Sequence, residues 1–202
     1  MVSEGATGRR TRTLRAENAL TSLMNGPESP ERLRRVLEQA LVFTGATLAA
    51  VYRPGADGDL LYLVESAGVP QTVYGLRDSY SGSGDSPPAH AYRSGRPVFL
   101  GPEELATCAE SRRVARRDVH LAVLPAHGDD GGACLVAVSE DPHGFDDEDR
   151  KCLELIAGAV VCPVPVPAPE GTEPRSDAFS LAMDTGRIEV GDGILELFGM
   201  NR

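Results

Sequence analysis

The chain has no tryptophan, a single lysine (Lys151), four histidines, and only five phenylalanines and five tyrosines among 202 residues. No apolar run approaches the roughly 20 residues that cross a bilayer, so no membrane association is expected. No secretory leader is seen either, and the expectation is a cytoplasmic protein with reduced thiols. Positive charge is scarce: 20 Lys and Arg stand against 30 Asp and Glu, a net charge of −10. That excludes a general nucleic-acid surface, which needs clustered positive charge. Cys108, Cys134, Cys152 and Cys162 form no CxxC pair and have no histidine at zinc-site spacing. Gly82 and Gly84 are followed by no Gly-Lys-Ser/Thr, so they make no phosphate loop. No nucleophile stands near a partnered His or Asp at a recognisable spacing, and the acids show no pairing suited to acid–base work. The chain is therefore expected not to be an enzyme. The excess of arginine over lysine fits a GC-rich bacterial genome.

The apolar fraction of 41% is enough for a core. Residues 1–12 are small, polar and basic and are expected to be a disordered tail. A folded region is expected over 13–161. Ala16, Leu20, Leu23 and Met24 fit one face of a first helix, broken by Asn25-Gly-Pro27. Ser29-Pro30 starts a second, with Leu33, Val36, Leu37, Ala40 and Leu41 on one stripe and Thr44-Gly45 at its end. Thr47–Arg53 and Leu60–Ser66 read as strands, the first covered on both faces because its apolar pattern barely alternates. A long loop follows, with Ser79–Asp85 expected to be its most flexible part. A short helix at Pro88–Ser94, ended by Gly95, leads to a brief strand at Arg96–Leu100. Glu103–Arg117 reads as a polar helix or helical loop.

His120–His127 and Ala133–Ser139 are apolar runs joined by Gly128-Asp-Asp-Gly-Gly132, a strong hairpin signal. Phe145 then precedes Asp146-Asp-Glu-Asp149, which opens a helix with Leu153, Ile156, Ala157 and Val160 on its buried stripe. Helix-start chemistry accounts for these acids: Asp146 caps, and the others favour the positive end of the helix. After Val161 the composition changes. Cys162-Pro-Val-Pro-Val-Pro-Ala-Pro169 lacks an N–H at alternate positions, so 162–178 is expected to be an extended linker, spanning on the order of 25 Å. Phe179–Met183 and Arg187–Val190 flank Asp184-Thr-Gly186 as a second hairpin. Residues 179–202 are too few to bury a core and read as an incomplete domain.

The order of these elements from Leu33 to about Val161 resembles a GAF domain, the bacterial sensor module. The matching features are the helix ending in Thr44-Gly45-Ala46, the paired strands, Ala91-Tyr-Arg-Ser-Gly-Arg-Pro-Val98 before a short strand, and the final hairpin with its Phe145-Asp146 helix start. The resemblance implies an α+β fold: a central antiparallel sheet of five to six strands, helices on one face, and a loop-covered ligand pocket on the other. It further implies a pocket lined by Leu76, His90, Phe99, Cys108, Arg112, His120 and Ala122. Cyclic-nucleotide-binding members carry Asn-Lys … Phe-x-x-x-Asp-Glu. Here Ser139-Glu140 stands at Asn-Lys, and Asp149 is followed by Arg150, so that ligand is not indicated. Methionine-sulfoxide reductases of the GAF-like kind rely on paired cysteines, and the spacing of Cys108 and Cys134 does not resemble theirs. Phe179–Asn201 resembles the opening of a PAS domain. A GAF–PAS tandem is similar to the N-terminal regions of PP2C-type sporulation phosphatases and of sensor kinases.

Each candidate residue also has a plainer reading. His90 and His120 could hydrogen-bond a ligand, or be a satisfied or solvated histidine. His127 and His143 fall in turns and are read as solvated. Arg112, Arg113, Arg116 and Arg117 share one helical face, which favours a solvated surface over an anion site. Cys108, close to those arginines, is a candidate redox thiol. The functional expectation is a regulatory module that binds an unidentified small molecule, forms a homodimer through helices 13–24, 30–44 and 147–161, and controls a downstream PAS and output domain. The alternative is a ligand-free dimerisation or protein-interaction scaffold. The cofactor is left unknown.

Overall fold

The structure, a computed structural model, describes residues 4–25, 31–107, 118–126, 132–160, 180–182 and 187–189. The chain divides into two units, Met1–Val166 and Pro167–Arg202. In the first, strands β1 (Leu48–Pro54) and β2 (Leu60–Gly68) pair antiparallel, as do β5 (His120–Ala126) and β6 (Ala133–Ser139). Adding β3 (Ser79–Ser81) and β4 (Val98–Leu100) gives one six-stranded sheet in the order β3-β2-β1-β6-β5-β4, in which every pair is antiparallel. This is the α+β architecture expected from the element order.

The central pair explains why the apolar pattern barely alternates. In β1 and β6 the register sets Ala49 opposite Ala137 and Val51 opposite Leu135 on one face, and Ala50 opposite Val136 and Tyr52 opposite Cys134 on the other. All eight side chains are buried, because both faces are covered. On one face lie α2 (Glu31–Thr44) and α5 (Asp147–Ala159), which bring Leu37, Leu153 and Ile156 onto the sheet, and α1 (Glu4–Met24) packs on these two helices, its Leu20 joining the same core. The other face is closed by a 3-10 turn (Gln71–Tyr74) and two short helices, α3 (Pro87–Ser94) and α4 (Pro102–Thr107).

Local chemistry sets the helix ends. Asp146 accepts from the backbone N–H groups of Glu148 and Asp149, both at 2.8 Å, and Asp149 Oδ2 accepts from the Asp146 N–H at 2.9 Å, a reciprocal capping box with Asp in the usual Glu position. Ser86 caps α3 ahead of Pro87, and Gly95 ends it in the left-handed region at φ +64°. At the far end of α5, buried Arg53 of β1 donates to the Val160 carbonyl at 3.0 Å, satisfying one of the orphan acceptors there. Gly68, at φ +92°, ends β2 where a Cβ would collide with the Thr47 carbonyl.

Two expectations are corrected. Helical backbone begins at Glu4, so most of the stretch expected to be a tail belongs to α1; no proline interrupts 4–24, and Ala and Arg there are good helix formers. Ser79–Ser81, expected within the most flexible loop, is an edge strand paired to Leu60–Tyr62. Tyr80 is buried, and Arg93 donates to the carbonyls of Gly82 and Gly84 at 2.6 and 2.7 Å, tying this turn to α3. In the second unit Ser180–Ala182 pairs antiparallel with Arg187–Glu189. The whole of the expected linker, 162–178, and the rest of the C-terminal fragment lie outside the described residues.

Candidate functional site

The sheet face under the short elements is where the fold could hold a ligand, and its polar groups are tyrosine hydroxyls. Tyr52 is fully buried; its hydroxyl donates to the Arg77 carbonyl at 2.8 Å, while the Arg77 N–H donates to the Tyr80 hydroxyl at 3.1 Å. The two rings meet edge to face, 5.3 Å between centroids. Burial pushes the Tyr52 hydroxyl far above its ordinary range, helped by Tyr80 and Asp78, so it stays neutral and a donor. Tyr74, 1% exposed, sets its hydroxyl 2.8 Å from Thr47 Oγ1 and 2.9 Å from a carboxylate oxygen of Glu140, to which it donates. These contacts fasten the segment 71–80 to the ends of β1 and β6. Cys134, on the same face, donates to the Pro88 carbonyl at 3.5 Å, and burial pushes its thiol up to about 12. It is a neutral core group at pH 7, not a nucleophile.

Of the seven residues expected to line one pocket, the five that are described are not brought together. Leu76 is on this face, 4% exposed. Ala122 is fully buried on the opposite face, among the helices, and Phe99, paired to it in register, packs there too, with the Arg150 guanidinium 4.5 Å above its ring. His120 shares the parity of Ala122. It is half-buried beside Gly144, where a Cβ would approach its Nδ1 to 2.5 Å. His90 is exposed on α3. Cys108 and Arg112 lie outside the described residues, as does His127. For His120 and Ala122 the reason is that β5 is apolar on both sides, so its sequence does not reveal which set of alternate residues faces the helices.

Tyr52, Tyr74, Tyr80, Thr47 and Glu140 were not singled out from sequence. A signal was present, since a buried tyrosine needs a partner for its hydroxyl and four of the five tyrosines fall between 52 and 80. Among the described residues no group of three or more His, Cys, Asp or Glu could hold a metal ion, and no helix is long and apolar enough to cross a membrane.

A six-stranded antiparallel sheet with helices on one side and a loop-borne cover on the other defines a small α+β domain of the covered-sheet kind. The chain belongs to the GAF domain family, whose model matches residues 28–161. Solved structures agree on the fold. The GAF domain of a phosphoenolpyruvate-protein phosphotransferase (ptsP) from Coxiella burnetii is similar with a TM-score of 0.60 and 14% identity, over 74% of this chain and 91% of that one. The A. aeolicus nlh2 GAF domain in an inactive state gives 0.55 and 14%, over 75% and 94%. The free methionine-R-sulfoxide reductase from Neisseria meningitidis, in complex with its substrate, gives 0.56 and 19%, over 79% and 90%. No curated protein matches the chain.

Proposed function

We propose that this chain is a cytoplasmic regulatory sensory module of a signal-transduction protein, and not an enzyme. It binds a small molecule on the loop-covered face, or dimerises, and so controls an output domain joined through the proline-rich segment and the PAS-like fragment. The observation that carries this reading is the way the cover is attached. Segment 71–80 is held by the hydroxyls of Tyr52 and Tyr74 and braced internally by that of Tyr80, directional contacts that a polar ligand can replace. The protein-side donors and acceptors for such a ligand are therefore already on that face. A homodimer would use α1, α2 and α5, where Leu14 and Val42 are 57% and 71% exposed, and would bury at least about 1,000 Å².

The test is native mass spectrometry and an absorption spectrum of the purified chain, followed by a thermal-shift screen and light scattering. A retained small molecule, or a ligand that raises the melting temperature by mass action, supports the sensor. A monomer with no bound molecule and no shift across the screen defeats it. One observation favours a second reading, a ligand-free dimerisation or interaction scaffold: Tyr52, Tyr74 and Tyr80 are at most 6% exposed and fill the layer themselves. A ligand-free dimer whose melting point no compound moves would select that alternative.

A further inference from the structure

Helix α1 precedes the residues matched to the family, yet it is seated on α2 and α5. Its inward stripe is short. Arg12, Ala16 and Leu20 succeed one another at four-residue steps on one face. Among the described side chains of α1, Ala16 and Leu20 are the buried apolar ones, with Leu23 partly buried beyond them. Arg12 ends the stripe where α5 begins, against the acids Asp146 to Asp149. Its Nη2 lies 3.3 Å from Asp146 Oδ1 and 3.5 Å from Glu148 Oε2, and its Nη1 lies 3.2 Å from Asp149 Oδ1. The N–H and the hydroxyl of Thr13 both donate to Glu148 Oε1, at 3.3 and 3.2 Å. Glu148 and Asp149 are 5% and 6% exposed, and Asp149 Oδ1 accepts no hydrogen bond among the described residues, so the guanidinium beside it is its compensation.

We propose that α1 is a detachable clasp, held on the first turn of α5 by Arg12 and released as a unit, with the rest of the domain still folded, when that pairing is lost. The reason is that one helix both covers the carboxylates and supplies the charge that makes covering them tolerable. A buried carboxylate without a partner is strongly destabilising. Undocking returns water to Glu148 and Asp149, and among the described side chains of α1 the apolar burial given up is that of Ala16 and Leu20 with part of Leu23. The amide dipoles at the start of α5 favour the acids in either state, so they do not oppose release. This device requires no ligand and stands apart from the loop-covered face.

Hydrogen–deuterium exchange on the full chain tests it, comparing the unaltered protein with Arg12→Gln and with Arg12→Gln/Glu148→Gln. In the single variant the amides of 13–23 are expected to exchange at least roughly tenfold faster, while those of α2, α5 and β1 keep their protection. The double variant, with one buried charge removed, is expected to recover part of the protection of α1. Unchanged exchange in α1 of the single variant would overturn the proposal. So would loss of protection in α2 and α5 in step with α1, or a double variant that exchanges as fast as the single one.

Discussion

On the helix side of the sheet the strands contribute six alanines, Ala49, Ala67, Ala122, Ala126, Ala133 and Ala137, beside Val51, Leu124 and Leu135, and the helices add Leu37, Leu153 and Ile156. On the other side the strands contribute the bulk, as Leu48, Tyr52, Leu61, Leu121 and Val136, and the cover brings fewer large apolar groups, such as Leu76 and Leu105. The difference follows from what each cover is. Helices of 13 or more residues carry a continuous apolar stripe and pack close against small residues. A 3-10 turn and helices of eight and six residues cannot do this, so the cover is fastened by hydroxyls and main-chain contacts as well. The layer made by α2 and α5 is built as a rigid core and the other side as a lid with polar fasteners, expected to open before that core does.

Matched truncations should expose that asymmetry most strongly. Ile156→Ala is expected to cost about 2–5 kcal/mol of global stability in chemical denaturation, whereas Leu105→Ala should chiefly raise hydrogen exchange in 98–107 and leave α2 and α5 protected. Equal global losses would erase the distinction. A smaller effect is expected for Tyr52→Phe, about 1–3 kcal/mol, since it leaves the Arg77 carbonyl buried without its donor; a neutral result in the same denaturation series would mean that water replaces the hydroxyl. Tyr74→Phe should cost about 1 kcal/mol and speed exchange selectively in 71–77, by cutting the tie to Glu140.

The smallest effect belongs to the helix side. For Asp146, burial raises the pKa but the N–H groups of Asp149 and Glu148 and the Arg12 charge outweigh it, leaving the carboxyl below its usual value. For Asp149, burial wins over the same kinds of stabilisation and the carboxyl lies above its usual value. The signs therefore oppose. Asp146 contributes stability above the ordinary Asp range that is lost as pH falls, and Asp149 contributes stability at low pH that is lost as pH rises through its folded pKa. Removing the second should unmask the first: Asp149→Asn is expected to lose melting temperature more steeply than the parent between about pH 5 and pH 3. A parallel pair of melting curves across that range would refute the assignment.

Much of the architecture was legible because it rests on local chemistry. Asp146 announced a helix start, Gly95 a helix end, and the glycine-rich break at 128–132 lay between two runs that do pair, His120–Ala126 with Ala133–Ser139. The site was less legible. Phe99, His120 and Ala122 were assigned to the loop-covered side, and the fold turned all three toward the helices, since a strand that is apolar throughout gives no sign of its parity. Ser79–Ser81 looked like loop because its composition is that of a turn, and only the exposed edge of β2 makes it a strand.

The sequence by itself determined the order of the elements, their caps and breaks, and the burial of both faces of the central strands, since propensity, capping and apolar runs act over a few residues. Only the tertiary structure decided which strand residues meet the helices and which meet the cover. It alone set Tyr74 against Glu140, 66 residues apart, and Arg12 against Asp149, 137 apart (149 − 12). Such contacts depend on register and packing, which join segments that no local rule connects.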